Sequence, residues 1–485
     1  MNMTVPQKIK NYIGGSLQAP LNNKYIDNIN PATGQVYSFT PDSDQNDVDE
    51  AVGAAKAAFP LWSTKPVEER FKILNKIAEL IDEHLDTLAL AETNDNGKPF
   101  WLSKTVDIPR ASSNFRFFAT AIMHFSTESH NMEDKAINYT LRQPVGVVGC
   151  IAPWNLPLYL FSWKIAPALA AGNCVIAKPS EVTPMTSYML SEICIKAGLP
   201  RGVLNIIHGT GQSCGAAIVA HPDIKAISFT GSTRAGREIA ATAAPMFKKI
   251  SLELGGKNPN IIFSDCDWDK MMRTTIRSSF SNQGEICLCG SRILIHESIY
   301  EKFRDEFVAR TKKLTVGDPL AEASKQGAIV SKIHYEKILS CIELAKQEGG
   351  TILTGGNPVK LEGRCKDGYF IEPTVIEGLG SHCRTNMEEI FGPVVTLQSF
   401  STEEEALVLA NTSDYGLSAT IWTQDISKAN RVAAQVQSGI IWVNCWLLRD
   451  LRTPFGGFKN SGVGREGGLD ALRFFTEPKN ICIEI

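Results

Sequence analysis

The sequence predicts an α/β protein built on parallel β-sheet, and two stretches carry this prediction. From Val145 to residue 230, short apolar runs of strand length alternate with amphipathic runs of helix length, and the alternation returns between residues 254 and 457. Such alternation is typical of βαβ units, which form parallel sheets. Ligands bind these sheets at the carboxyl ends of the strands, so residues that directly follow a strand are candidates for function.

Length and composition are those of an ordinary globular protein. Of the 485 residues, 43% are hydrophobic and 21% are charged. The length predicts two or three domains. A net charge of −3 argues against general affinity for nucleic acids and for an anionic membrane surface.

The cysteines predict a reducing compartment and no metal site. Twelve cysteines are scattered from Cys150 to Cys482, and only Cys287 and Cys289 lie close together. A zinc site usually shows a CxxC pair or a His-rich tract, and this sequence has neither. No targeting segment is recognisable, and no apolar run reaches the ~18 residues of a membrane span. We therefore expect a cytoplasmic protein.

Helical periodicity dominates the chain before Val145. Apolar residues recur at the spacing of one helical face over 47–59, 67–90 and about 108–125. The second helix should end at Asn96-Gly97-Lys98-Pro99, because glycine favours the position after a helix and proline cannot continue it. The polar segment 130–142 is compatible with a hairpin or an arm, and its periodicity does not decide between them.

The α/β segments can be divided into individual elements. The first should contain strands over 145–152, 174–177, 203–207 and 226–229, and helices over 158–171, 185–197 and 213–220. The second should contain strands over 260–263, 292–295, 394–400, 419–422 and 439–443. Residues 457–468 are glycine-rich and loop-like. The tail, 474–485, alternates like an edge strand, and we expect it to pair with another chain because an exposed edge is unfavourable.

Cys287 is the candidate nucleophile. An apolar helical run over 271–280 leads into Gly284, which permits a tight turn just before the cysteine. Thiols attack as thiolates, and a helix end or a cluster of backbone N–H groups can lower a thiol pKa. The alternative is that Cys287 only fills apolar space, as free cysteines usually do.

Two further stretches suggest a cofactor and a base. Gly231-Ser232-Thr233-Arg234-Ala235-Gly236 follows a strand and opens a helix, whose N-terminus favours a phosphate. Glu253 stands between apolar residues at a strand end, before two glycines. A buried carboxylate destabilises the fold unless it has a hydrogen-bond or ion-pair partner, so one that is kept there suggests a functional role. The alternatives are an ordinary strand–helix turn and a glutamate that faces water.

Seven motifs resemble those of the aldehyde dehydrogenase superfamily and occur in the family's order along nearly the whole chain. They are Pro153-Trp154-Asn155, Lys178-Pro179-Ser180-Glu181, Phe229-Thr230-Gly231-Ser232, Leu252-Glu253-Leu254-Gly255-Gly256-Lys257, Gly284-Glu285-Ile286-Cys287, Glu389-Ile390-Phe391-Gly392-Pro393 and Pro454-Phe455-Gly456-Gly457. The resemblance implies the aldehyde dehydrogenase fold, with a Rossmann-like cofactor domain, an α/β catalytic domain and a β-strand oligomerisation arm.

The resemblance assigns catalytic roles to three residues. Cys287 would attack the aldehyde carbon, and the Asn155 side chain and the Cys287 N–H would hold the oxyanion. Hydride transfer to NAD would leave a thioester, and Glu253 would activate the water that releases the acid. Glu285 departs from the glutamine that is common in the family, and it should add a carboxylate near the nucleophile.

The resemblance also implies the cofactor contacts. Lys178 and Glu389 would bind ribose, while Glu181 would bind the adenosine ribose and repel a 2′-phosphate, which favours NAD over NADP. The cofactor-binding residues expected on this basis are Trp154, Lys178, Ser180, Glu181, Gly211, Phe229, Gly231, Ser232, Leu254, Glu389 and Phe391.

Within the superfamily, segments 107–110, 114–118, 282–289 and 444–450 are similar to the muconic semialdehyde dehydrogenases, which share Glu285. Their substrates, such as 2-aminomuconate 6-semialdehyde, carry a carboxylate remote from the aldehyde. Arginine suits a carboxylate because it can donate two parallel hydrogen bonds. Arg110 and Arg449 are our candidates, with Arg116 and Arg452 as reserves. The alternative for each is an ion pair at the surface or between domains.

Three other functions are alternatives to this one, and the sequence argues against each. A neutral aldehyde, such as a retinoid or an alkanal, would suit the apolar residues around Trp163 and Trp446 but would leave the arginines unpaired. A catalytically silent binding protein need not keep Cys287, Glu253 and Asn155. Acyl-CoA formation is disfavoured because Glu253 serves hydrolysis.

The same resemblance implies the boundaries of the functional regions. Residues 1–125 and 145–252 would form the NAD-binding domain, and residues 253–455 the catalytic domain. Residues 126–144 and 456–485 would join subunits into a homodimer or a homotetramer.

Overall fold

Residues 7–485 are described by a computed structural model, in which most strands belong to two large sheets. The strands are β1 Asn11–Ile13, β2 Ser16–Gln18, β3 Tyr25–Asn30, β4 Gln35–Pro41, β5 Ser129–Asn131, β6 Ala136–Pro144, β7 Val147–Ile151, β8 Cys174–Lys178, β9 Leu204–Ile206, β10 Ile224–Thr230, β11 Lys249–Glu253, β12 Pro259–Ile262, β13 Arg292–His296, β14 Thr351–Thr354, β15 Pro358–Val359, β16 Phe370–Ile371, β17 Thr374–Glu377, β18 Val394–Phe400, β19 Tyr415–Gly416, β20 Ser418–Trp422, β21 Ile440–Val443, β22 Phe458–Lys459, β23 Gly462–Val463 and β24 Thr476–Glu484.

Helices cover both faces of these sheets. They are α1 Gln45–Ser63, α2 Val67–Glu83, α3 Leu85–Asn96, α4 Phe100–Leu102, α5 Ile108–Met123, α6 Pro157–Ala170, α7 Met185–Lys196, α8 Ala216–Ala220, α9 Thr233–Ala243, α10 Trp268–Phe280, α11 Tyr300–Thr311, α12 Lys332–Gln347, α13 Arg384–Met387, α14 Glu403–Asn411, α15 Ile426–Gln435 and α16 Gly468–Phe474. None of the helices in the described range is long and apolar enough to cross a membrane.

The first large sheet has the order β2-β1-β9-β8-β7-β10-β11-β23. Strands β9, β8, β7, β10 and β11 are parallel, and antiparallel strands close the two edges. All residues of β7 and β8 are buried. Both faces of the centre are therefore covered, which explains the continuous apolar runs in this part of the sequence.

The second large sheet has the order β14-β17-β18-β13-β12-β20-β21. It is parallel from β17 to β21, with β14 antiparallel at one edge. Glu253 ends β11 in the first sheet, and β12 begins the second sheet at Pro259. The short segment 254–258 therefore passes directly from one sheet to the other.

A third, three-stranded sheet has the order β24-β6-β5. The segment 130–142 is thus a hairpin, which settles the choice that its periodicity left open. Along one edge the tail pairs with its own chain, because β24 is antiparallel to β6 from Thr476 opposite Pro144 to Glu484 opposite Ala136. The expected pairing with another chain therefore concerns the other edge. The opposite edge of β24 has no partner strand within residues 7–485.

The expected helices are present, with one difference. The predicted helix over 67–90 is two helices, α2 and α3, which meet at His84. Periodicity could not show this break, because both helices bury apolar faces in the same core. The expected end at Gly97 is confirmed, since this residue caps α3 in the left-handed conformation, with φ of 87°.

Candidate active site

The loop that carries Cys287 has an unusual backbone. After α10 ends at Phe280, Asn282, Gln283 and Gly284 are all left-handed, with φ of 53°, 55° and 71°. A Cβ on Gly284 would collide with the carbonyl of Gly392. Glycine is therefore required there, and the two non-glycine residues hold a conformation that their side chains disfavour.

Buried amide side chains stabilise this loop. Gln283 donates to the carbonyl of Ala328 over 3.2 Å and accepts from the N–H of Gly327 over 3.1 Å. Asn258 donates to the carbonyls of Cys287 and Cys289 over 2.7 and 2.9 Å. The sequence analysis had assigned no role to Asn258 or Gln283, although Gln283 lies in the segment 282–289 and Asn258 directly follows the motif that ends at Lys257.

Asn155 lies against the same loop. Its side-chain amide donates to the carbonyl of Glu285 over 3.0 Å, which leaves one of its two amide hydrogens for another acceptor. Its own carbonyl accepts from Lys98 Nζ over 2.9 Å and from Asn282 Nδ2 over 3.0 Å. The N–H of Cys287 meets no acceptor in the described part of the chain. Two donors suited to an oxyanion therefore lie close together.

The environment of Cys287 does not favour the thiolate. Burial raises the pKa of this thiol above its ordinary range, and the carboxyls of Glu389 and Glu253 raise it further. The guanidinium of Arg449 opposes these effects by favouring the thiolate. A helix end or backbone N–H groups can lower a thiol pKa, but desolvation is the largest effect on Cys287 in this cavity.

Glu285 does not supply the negative charge that we expected beside the nucleophile. Burial raises its pKa well above the ordinary range and so favours the neutral carboxyl. It accepts from the N–H of Val330 over 3.2 Å and lies 3.8 Å from the ring of His334. The acids that raise the pKa of Cys287 are Glu389 and Glu253.

Glu253 is buried, and neither of its carboxyl oxygens has a hydrogen-bond partner among the described residues. Burial raises its pKa well above the ordinary range, and the neighbouring Glu466 adds to the rise. The cations of Arg465 and Arg449 act in the opposite direction. A carboxyl with a raised pKa and without a fixed hydrogen-bond partner can take up a proton, as a general base must.

A buried ion pair supports Glu466. Lys164 Nζ lies 2.6 Å from its carboxylate, and the hydroxyl of Ser228 donates to the same oxygen over 3.0 Å. The sequence analysis missed this ion pair, whose members Lys164 and Glu466 are separated by 302 positions. Lys164 offered one signal, since it is a lysine within the almost wholly apolar helix α6.

A cavity of about 220 Å³ contains much of the predicted site. Its lining combines ends of β7, β10 and β11 with the cysteine loop and residues 389–391. The lining residues are Pro153, Trp154, Asn155, Thr230, Gly231, Ser232, Leu254, Gly255, Cys287, His334, Lys337, Glu389 and Phe391. The carboxyl ends of the strands thus form the site, as parallel-sheet topology predicts.

Aromatic side chains shape one wall of this cavity. The rings of Trp154 and Phe391 meet edge to face with centroids 5.2 Å apart, and His334 contacts Trp154 at 5.0 Å. Phe391 is left-handed, with φ of 62°, and its carbonyl contacts His334 Nε2 at 2.7 Å. Glu389 accepts from the N–H of Gly256 over 2.7 Å. His334 and Lys337 had not been predicted.

The remaining predicted cofactor residues lie outside this lining. Lys178 Nζ lies 3.1 Å from the Glu181 carboxylate, which also accepts from the N–H of Gly211 over 3.4 Å. Burial alone would raise the pKa of Glu181, but Lys178 brings it below the ordinary value. Ser180 and Phe229 are buried. A Cβ on the cavity residue Gly231 would collide with the Phe229 ring.

The structure separates the four candidate arginines into two kinds. Arg116 lies 2.6 Å from Asp82, and Arg452 lies 2.6 Å from Asp450. Both pairs are substantially exposed. The two reserve arginines therefore form surface ion pairs, which is the alternative to substrate binding that we stated for each candidate.

Arg110 and Arg449 instead meet at one tyrosine. Arg449 donates to the Tyr159 hydroxyl over 2.7 Å, and the Arg110 guanidinium lies 5.7 Å from the centroid of the Tyr159 ring. Arg449 also stacks on the rings of Phe455 and Trp163, at 4.1 and 5.3 Å. Neither guanidinium lies within ion-pair distance of an acid anywhere in residues 7–485.

Comparisons with known proteins agree with the geometry. The sequence profile of the "Aldehyde dehydrogenase family" matches residues 19–481. The chain is 49% identical to the 2-aminomuconic semialdehyde dehydrogenase of Danio rerio, with 98% of each chain covered. It is 44% identical to the 2-hydroxymuconic semialdehyde dehydrogenase of Pseudomonas sp. (strain CF600), covering 99% of this chain and all of the other.

Solved structures give the same result. The NAD⁺ complex of the aldehyde dehydrogenase from Bacillus cereus superposes with a TM-score of 0.97 at 38% identity, covering 99% of this chain and 97% of the other. The fold expected from the sequence motifs is therefore confirmed. With the family profile matching nearly its full length, the chain belongs to the aldehyde dehydrogenase family.

Proposed function

We propose that this protein oxidises a semialdehyde with a remote carboxylate to the corresponding acid and uses NAD. The observation that carries the proposal is the meeting of Arg110 and Arg449 at Tyr159 without an acidic partner in the described structure. Two guanidiniums without an acidic partner favour an anionic ligand. The names of the relatives support the same substrate class, with 2-aminomuconate 6-semialdehyde and its 2-hydroxy analogue as the leading candidates.

Three residues would carry the chemistry. The Cys287 thiolate attacks the aldehyde carbon, and the Cys287 N–H and the Asn155 amide hold the oxygen that becomes negative. Bound NAD supplies the hydride acceptor. Glu253 then takes a proton from the water that attacks the thioester carbon, and the acid leaves as the Cys287 sulfur regains its electron pair.

The cavity is suited to hold NAD. Gly231 and Ser232 stand at the N-terminus of α9, where backbone N–H groups favour a pyrophosphate. Glu389 offers a carboxylate for ribose hydroxyls. Glu181, which Lys178 keeps ionised, would accept from the adenosine ribose and repel a 2′-phosphate, so we propose NAD rather than NADP.

The functional regions follow from these positions. We assign residues 1–125 and 145–252 to NAD binding and residues 253–455 to catalysis, with residues 126–144 and 456–485 joining subunits. The cytoplasm is the compartment that we propose. All twelve cysteines are free within the described structure, as is usual in a reducing compartment.

A homodimer or homotetramer is expected from the open edge of β24. Ile137, Leu141 and Ile483 are exposed on this three-stranded sheet. Sedimentation at micromolar concentration should show one oligomer, and Ile483→Lys should shift it towards monomer because an edge lysine opposes strand pairing. Ile426→Lys, at an exposed position on α15, is the control. A monomeric wild-type protein would contradict this proposal.

Cys287 should react as a thiol with a raised pKa when no cofactor is bound. Below its pKa, the ionised fraction grows about tenfold with each pH unit, so alkylation by iodoacetamide should keep accelerating between about pH 7 and 9. Peptide mass spectrometry would follow Cys287, with Cys287→Ala to confirm the peptide. A rate that levels off below about pH 8 would show a lowered pKa instead.

Glu253→Gln should separate hydride transfer from hydrolysis. NADH should appear in a burst of about one equivalent per active site, followed by a steady rate at least about 100-fold below wild type, because the general base is lost. Stopped-flow absorbance measures both phases. Glu404→Gln, an exposed glutamate on α14, is the control. An unchanged steady rate would remove Glu253 from the mechanism.

Arg449→Ala should weaken recognition of a carboxylated substrate. The probes are 6-oxohexanoate and hexanal, which have the same length and differ in the terminal carboxylate. The ratio of their kcat/KM values should fall tenfold to about a hundredfold, since one charge-assisted contact is lost. Arg452→Ala removes an arginine that is already paired with Asp450 and serves as the matched control. If wild type treats both aldehydes alike, the substrate is a neutral aldehyde.

A further inference from the structure

The positively charged side chains of Arg110 and Arg449 both contact Tyr159, although like charges repel. Tyr159 accepts from Arg449 over 2.7 Å at its hydroxyl and faces Arg110 at 5.7 Å with its ring. The side chain is buried, with 7% exposure. A phenol can hold two guanidiniums in this way because its oxygen accepts a hydrogen bond and its ring face attracts a cation.

Tyr159 is itself fixed to the helix that carries Arg110. Asn114, one turn after Arg110 on α5, donates to the Tyr159 carbonyl and to the Ser162 hydroxyl, both over 3.0 Å. Asn114 is fully buried. Residues four apart share a helix face, so Arg110 and Asn114 both face α6, and Tyr159 has little freedom to move away from Arg110.

Arg449 reaches Tyr159 from the second sheet, on the loop that follows β21. The indole of Trp442 donates to the carbonyl of Leu448 over 3.0 Å and holds the loop next to Arg449. The indole of Trp446 donates to the carbonyl of Leu288 over 2.9 Å. The loop is thereby tied to the residue that follows Cys287.

We propose that Tyr159 is a positioning residue for the substrate carboxylate, because it aligns two arginines from different parts of the fold, one on helix α5 and one on the loop after β21. Its hydroxyl sets the orientation of the Arg449 guanidinium, and its ring sets that of Arg110. The pair then offers N–H groups from two directions to one carboxylate. This inference rests on the proposed function, since it requires an anionic substrate end.

Tyr159→Phe tests the inference because it removes the hydroxyl and keeps the ring under Arg110. The ratio of kcat/KM for 6-oxohexanoate to that for hexanal should fall about tenfold, through a higher KM for 6-oxohexanoate, because Arg449 loses its acceptor. In an Arg449→Ala background the same substitution should change the ratio less than about twofold, because the two residues act together. Tyr159→Leu also removes the ring and should lower the ratio further.

The control is Tyr300→Phe, which removes a hydroxyl that donates to Glu377 on β17 over 2.9 Å. Thermal unfolding shows whether each variant is folded. An unchanged ratio in Tyr159→Phe, or an equal loss of kcat/KM for both aldehydes, overturns the positioning role. The proposed function still stands in that case if Arg449→Ala lowers the ratio. A wild-type enzyme without preference for 6-oxohexanoate overturns both.

Discussion

The hydrogen bonds of Asn155 hold the site together. Its backbone carbonyl accepts from Lys98 and Asn282, and its side-chain amide donates to the carbonyl of Glu285. Three distant segments therefore meet at one residue: the turn after α3, the end of β7 and the cysteine loop. Lys98 is fully buried and also pairs with Asp107, just before α5. A buried ammonium needs such partners, because removing one would leave a charge without compensation.

Desolvation then sets the chemistry of the cavity. The pKa values of Cys287, Glu253 and Glu389 are all raised first by burial, so the cavity by itself favours their neutral forms. Arg449 lowers the pKa of both Cys287 and Glu253. The charge that a ligand brings therefore matters more here than at an exposed site, since few charged groups compete with it and the local dielectric is low.

The sequence predicted the structural features that depend on local pattern. Strands, helices, the cap at Gly97 and the placement of Asn155 and Glu253 at strand ends all follow from periodicity and motif order. The direction of the Cys287 pKa shift could not be predicted from the sequence, because it depends on burial and on Glu389, about a hundred positions away. Arg452 pairs with Asp450 at a spacing of two, whereas Arg116 on α5 pairs with Asp82 on α2, which lies 34 positions earlier. Tyr159 carried no signal, because an aromatic residue in an apolar helix predicts only core packing.

One loop connects recognition with reaction. Trp446 donates to the carbonyl of Leu288, and Arg449 follows Trp446 by three residues, so the loop that carries the guanidinium is hydrogen-bonded to the residue that follows Cys287. Phe455 adds a second link, since it packs with Cys287 in one apolar cluster and carries the Arg449 guanidinium on its ring. A tunnel built only for apolar aldehydes would gain nothing from a cation held there, because desolvating it costs free energy that an apolar ligand cannot return. The cost is offset when a carboxylate occupies the same place.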